Sequence, residues 1–277
     1  MDRARDILDL VSTLKQRGEP FALATVVRTV AATAAKAGAK AVILPDGTIT
    51  EGWIGGGCAR GAVVKAAREA LADGETRLVS VQPEDLLDAH GVHAGEMKEG
   101  VRFARNTCPS QGTMDIFVEP MLPRPEIVIY GASPVAVAVA DLGRRLGFAM
   151  TVCAPTPEQA AFADPDRRIE GYALPVTGEG QRYIVVSTQS RGDEAALQAA
   201  LAVEADYVAF VGSRRKAEAL TARLREKGVS ETRLGRLKAP AGLDLGAITP
   251  EEIALSILAE IVMVRRKRQR AITEPGG

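Results

Sequence analysis

Two kinds of hydrophobic pattern divide the chain. In the first part, apolar residues fall into short strand-like runs. "FALATVVRT" (21–29) predicts a strand, and "KAVILPDGTITEGW" (40–53) predicts a hairpin about an Asp-Gly turn. A helix is expected from about residue 59 to 71, and two further strands at "TRLVSV" (76–81) and "TMDIFVEP" (113–120). The polar stretch between those strands, which carries both histidines and Cys108, reads as loop-rich. After "EPMLPRPE" (119–126) the pattern changes to short apolar strands alternating with helices: "EIVIY", a helix over 134–146, "AMTVCA", then "RYIVVS", a helix over 193–204, "YVAFVG" and a helix over 214–227. Such alternation predicts a parallel sheet covered on both faces. A last helix is marked by Thr249 as N-cap, Pro250 at its first position, and Glu251 and Glu252 in its first turn.

The fold class expected is therefore α/β: an N-terminal mixed α+β domain followed by a Rossmann-like doubly wound parallel-sheet domain. Three prolines between 120 and 125 disfavour helix and central strand. They place the boundaries at 1–120, a Pro-rich linker at 121–125, and 126–277.

Composition narrows the classes of function. Of 277 residues, 46% are hydrophobic, and 35 Lys and Arg balance 35 Asp and Glu. That is an ordinary globular make-up, with no charge excess to suggest nucleic acid or an anionic membrane surface. The one strong charge run, "RRKRQR" (265–270), suits the negative end of a helix. No apolar stretch is long enough to span a bilayer, and the charged amphipathic start does not resemble a signal peptide. Three widely spaced cysteines, Cys58, Cys108 and Cys153, fit free thiols in a reducing compartment. A cytoplasmic protein is expected.

Four stretches carry candidate chemistry. In "WIGGGCARGAVV", Gly55, Gly56 and Gly57 lead into Cys58 at the start of a helix. The thiol there is either activated by the helix N-terminus, as a reactive group or sulfur ligand, or is an inert turn cysteine. Cys108, in a second Pro/Gly turn, is a candidate to face the same cleft. In "YGASPVAVAVADLG", Gly131 takes the first position of a dinucleotide fingerprint. Ser133 replaces the second glycine, and the next strand ends at Cys153 and Pro155 without the acid that holds ribose hydroxyls. Bound NAD(P) is thereby disfavoured. In "VAFVGSRRKAEAL", Gly212, Ser213, Arg214, Arg215 and Lys216 open a helix with three cations, a candidate phosphate site whose alternative is a solubilised surface. His90 and His93, in "HGVHAGE", lack a third histidine and read as surface loop. No Walker lysine and no GxSxG elbow occurs.

Taken together, "ATVVRTVAATAAKAGAKAVI", "WIGGGCARGAVV", "CPSQGTMDIFVEP", "VGSRRKAEAL" and "AGLDLGAITPEEIALSILAEI" resemble the XdhC/CoxI family, the accessory factors of xanthine dehydrogenase and CO dehydrogenase. The segments occur in family order over nearly the whole chain. The resemblance implies a protein that binds and protects molybdenum cofactor, a molybdopterin. It also implies help in sulfuration by a cysteine desulfurase and delivery of the cofactor to a molybdenum hydroxylase apo-enzyme. The likeness is nearest the CO dehydrogenase members, which implies the cytosine dinucleotide form. The chain departs from the family in Gly131-Ala132-Ser133-Pro134, where G-A-G-H is usual, and in the missing acid after the next strand.

The expectation drawn is a homodimeric maturation factor without turnover chemistry of its own. It holds the cofactor between its two domains, with Cys58 touching the metal or relaying sulfur. The alternatives are an NAD(P)-dependent oxidoreductase using the Rossmann half, and a regulatory nucleotide-binding module.

Overall fold

A computed structural model describes residues 7–109, 111–175 and 180–273; of Cys58 and of 268–273 it describes the backbone alone. The chain divides between Pro123 and Arg124 into two units, each with its own core.

The first unit runs α1 (Ile7–Arg17), β1 (Phe21–Val30), β2 (Lys40–Ile43), β3 (Ile49–Gly52), α2 (Gly57–Asp73), β4 (Arg77–Gln82), α3 (Glu84–Ala89), β5 (Met97–Lys98), β6 (Val101–Arg105) and β7 (Thr113–Met121). Its seven strands form one mixed sheet in the order β3-β2-β1-β7-β4-β6-β5, antiparallel except where β4 and β6 run parallel. Ala59, Val63, Ala66 and Ala70 recur at helical spacing and bury one stripe of α2 against Ala24, Val26, Val79 and Ile116 of the sheet. The small side chains let the helix lie close to the strands.

The stretch between β4 and β7, expected to be loop-rich from its polarity, carries short elements among its loops. It holds α3 and the β5–β6 pair, and β6 returns parallel to β4 through α3. A six-residue helix and strands of two and five residues are too short for their periodicity to stand out. Strand β7 also runs through Pro120, which stands opposite Ala22 of β1. The proline is tolerated because the pairing of β7 with β4 ends at Val118, so no ladder partner needs its missing N–H.

The second unit contains β8 (Glu126–Tyr130), α4 (Pro134–Arg145), β9 (Ala149–Ala154), a 3₁₀ turn (Thr156–Ala161), β10 (Arg167–Glu170), β11 (Arg182–Val186), α5 (Asp193–Ala202), β12 (Tyr207–Phe210), α6 (Arg214–Glu226), α7 (Glu231–Leu234), β13 (Leu237–Lys238) and α8 (Pro250–Thr273). Every pair in the sheet β10-β9-β8-β11-β12-β13 is parallel. This is the doubly wound order in which the chain reverses direction across the sheet between β8 and β11, and the crevice at that switch point is where such folds take ligands. Both sheet faces are apolar. Ile127 and Ile129 pack with α4 and α8 residues, while Val128 and Tyr130 pack with α5 and α6 residues. Three short elements, β10, α7 and β13, are not foreshadowed by the hydrophobic pattern.

Candidate functional site

In the first unit, the glycine turn and the second cysteine loop meet. Gly55 is buried, Gly56 half-buried and Gly57 exposed. Gly56 is the N-cap of α2 without a side-chain cap, and no acid lies in the first turn. The backbone makes Cys58 the second residue of that helix; its thiol lies outside the described residues. Gly56 and Cys108 line one small cavity of about 20 Å³ together with Thr33, Asn106 and Met114. The Cys108 loop is fixed from within. Asn106 accepts the Cys108 N–H at 2.9 Å and donates to the Gly112 carbonyl at 2.6 Å. Cys108 is half-buried. The cavity has room for about one water, so the place suits a thiol and a small atom or ion.

Sequence reasoning missed a polar chain on the sheet face opposite α2. Arg28 donates to Asp115 (2.5 Å), which also accepts from Ser80 (2.6 Å); Gln82 then links Ser80 (2.8 Å) to His90 Nδ1 (3.1 Å). One signal was available, since Ser80 and Gln82 alternate with the core residues Val79 and Val81. Among the described residues, no group of three or more His, Cys, Asp or Glu side chains is placed to hold a metal ion.

The second unit has three helices that start at the carboxyl ends of central strands, and their N-termini differ. At α4, Gly131 has φ +100°, and a Cβ there would lie 2.5 Å from the Ser187 carbonyl, so only glycine fits. Ser133 is buried, its Oγ 2.5 Å from Ser187 Oγ, and it accepts the Ala136 N–H at 3.1 Å. Standing in place of the second fingerprint glycine, Ser133 acts as the N-cap and consumes an amide. Pro134 has no N–H, which leaves the amide of Val135 for a ligand. At α5, Asp193 and Glu194 already neutralise the first turn.

At α6 the balance is reversed. Ser213 caps the Lys216 amide (3.3 Å), but the N–H groups of Arg214 and Arg215 remain for a ligand. Both arginine side chains are exposed, and neither makes a hydrogen bond or ion pair among the described residues. Two cations against a positive helix end are mutually unfavourable, by about 0.3–1 kcal/mol each, unless an anion joins them. Lys216, expected beside them, turns away. Its ammonium pairs with Asp193 (2.6 Å), donates to Ser190 Oγ (2.9 Å) and lies over the Phe210 ring.

Two cavities flank these helix starts. One, of about 720 Å³ at the β8–β11 switch point, is lined by Ser133, Glu158, Thr188, Gln189, Ser190 and Arg191. Its loop is strained, with φ +49° at Gln189 and +73° at Ser190. Asp193 holds it by accepting from the Thr188 hydroxyl and the Ser190 N–H. The other, of about 620 Å³, lies beside Gly212 and Arg214 and is walled by the segment 238–247.

A model described as the XdhC Rossmann domain matches residues 127–261, and one described as the XdhC and CoxI family matches 14–82. The chain belongs to the XdhC/CoxI family. Among curated proteins, it is 29% identical to the uncharacterized protein YqeB of Escherichia coli (strain K12), over 98% of this chain and 47% of that one. It is 24% identical to a probable xanthine dehydrogenase subunit of Bacillus subtilis (strain 168), over 56% of this chain and 47% of the relative. The XdhC/CoxI chain thus spans about half the length of the curated relatives it matches. A crystal structure described as a xanthine dehydrogenase from Bacillus halodurans is similar at 19% identity and TM-score 0.46, covering 97% of this chain and 98% of that one. No helix among the described residues of this XdhC/CoxI protein is long and apolar enough to cross a membrane.

Proposed function

We propose that the protein is a maturation factor for a molybdenum hydroxylase of the xanthine dehydrogenase type. In this reading it binds a molybdopterin-type cofactor, assists its sulfuration together with a cysteine desulfurase, and hands it to the apo-enzyme. It works in the cytoplasm as a homodimer. The observation that carries the reading is the transfer of anion-binding capacity from α4 to α6. The turn that would receive a dinucleotide pyrophosphate keeps only the Val135 amide, since Ser133 consumes one amide and Pro134 lacks one, while Arg214 and Arg215 stand open. A nicotinamide-dependent oxidoreductase would need the opposite arrangement.

Each unit offers its own donor set whose chemistry suits part of such a cofactor. Its phosphate would lie against the amides and guanidinium groups of Arg214 and Arg215, which offer bidentate, charge-assisted bonds. The cofactor, when bound, supplies the molybdenum centre at which sulfur is installed. Cys58 and Cys108 are the residues for the sulfur side, because the loop of one and the turn leading to the other share a cavity. Which of the two carries the sulfur is decided by substitution.

The test begins with protein purified from cells that make molybdenum cofactor. Oxidation should release a fluorescent pterin in near-stoichiometric amount. Cys58→Ser should keep the fold and the melting temperature while lowering sulfuration of the target enzyme at least tenfold. Absence of pterin, together with a melting temperature raised by NAD(P), would replace this reading with the oxidoreductase. A rise with other nucleotides alone would favour a regulatory nucleotide module.

A further inference from the structure

The cavity beside α6 is a preformed pocket, and none of the expected site residues except Gly212 and Arg214 line it. Its wall is the segment following β13. That segment is tied down at three consecutive residues. Ala241 N–H donates to the Phe210 carbonyl (3.0 Å), Gly242 N–H to Glu260 Oε2 (2.9 Å), and Leu243 N–H to the Ser256 carbonyl (3.2 Å). Gly242 has φ +91°, and a Cβ there would stand 2.3 Å from Ser256 Oγ, so the close approach to α8 requires glycine.

Glu260 is the post of this arrangement. It is buried, takes the Tyr207 hydroxyl at 2.6 Å, and holds the Lys238 ammonium at 3.1 Å. A carboxylate in that position, satisfied by three donors, fixes Lys238 at the cavity wall with donors to spare. Lys238 and Arg214 come from different elements and line the same space. The remaining lining is mixed, with the apolar Val211, Pro240, Leu243 and Leu245 and the acidic Asp244.

We infer that this cavity is a binding site for a phosphorylated heteroaromatic compound. Arg214 and Lys238 take the phosphate, the apolar wall takes the ring, and Asp244 accepts a ring N–H. A cavity of this size, with a lining of mixed polarity and a few convergent charged groups, has the form of a small-molecule site. A phosphorylated pterin belongs to this ligand class; its being the natural ligand rests on the proposed function, whereas the site itself does not. The assignment adds Lys238 and Asp244 as contact residues and Glu260 as a positioning residue.

Guanosine 5′-monophosphate serves as the probe, with guanosine and inorganic phosphate as its two halves, measured by titration calorimetry on the full chain. The nucleotide should bind at least tenfold more tightly than either half. Arg214→Ala, which removes an exposed side chain without a partner, should weaken it about tenfold, the loss of one charge-assisted contact. Arg191→Ala, on the switch-point cavity, should leave it unchanged. Lys238→Gln should weaken it comparably, with an unchanged melting curve as the control for folding. The inference is overturned if guanosine binds as well as its phosphate, if Arg191→Ala abolishes binding while Arg214→Ala does not, or if no binding occurs at millimolar concentration. None of these outcomes depends on whether pterin co-purifies.

Discussion

Cys108 and Cys153 show how far a residue's neighbours decide its chemistry. Cys153 lies near the carboxyl end of β9, fully buried beside Tyr130, and burial pushes its thiol up to about 12. At pH 8 it therefore carries almost no thiolate, the form that reacts. Cys108 is half-buried in a loop at a cavity mouth. Iodoacetamide at pH 8 should alkylate Cys108 in the native protein and leave Cys153 unmodified until denaturant is added. Peptide mapping that finds native Cys153 modified at a similar rate would refute the burial argument. Legibility at this scale was partial. The departure from the dinucleotide fingerprint at Ser133 could be read from the chain. Its consequence could not, because Ser133 matters through Ser187, 54 positions away, and through the Ala136 amide. Likewise, nothing local to Lys216 announces that Asp193 claims its ammonium.

Elements were legible in proportion to their length and to the clarity of their caps. The start of α8 was read from four residues, and in the structure Thr249 caps it as expected while Glu252 adds a reciprocal bond. Thr249 Oγ1 accepts the Glu252 N–H at 3.3 Å, while the Glu252 carboxylate accepts from Ile248 (2.8 Å) and Thr249 (3.0 Å). Those two backbone N–H bonds, outweighing burial, hold the Glu252 carboxyl below its ordinary range. The sign follows by linkage. A carboxyl depressed in the folded state contributes stability above its unfolded value and loses it as the pH falls through the folded one. Hydrogen exchange at the Ile248 and Thr249 amides should therefore lose protection as the pH drops through the carboxylate range. Glu252→Gln should abolish that pH dependence; an unchanged profile would show that the box does not set the helix start. By contrast, α3, β6, β10 and β13 were unread because two to six residues carry little period, and their places depend on partners distant in sequence.

On the scale of the whole molecule, the two chemistries assigned here reside in separate units. Gly56, Cys108 and the start of α2 belong to the unit before Arg124; Arg214, Lys238 and Glu260 belong to the unit after Pro123. The second unit closes its sheet, its helices and the wall of its cavity with its own residues, from Ile127 through Ile261. At about 150 residues it is large enough for an independent core. Expressed from Arg124 onward, it should unfold cooperatively and bind guanosine 5′-monophosphate with the affinity of the full chain. Residues 1–123 should retain the alkylation of Cys108 and bind no phosphate compound. If the second unit folds but loses the nucleotide, residues of the first unit must contribute to the ligand. Affinity retained by the isolated unit would instead make the cavity beside α6 a self-sufficient anchor.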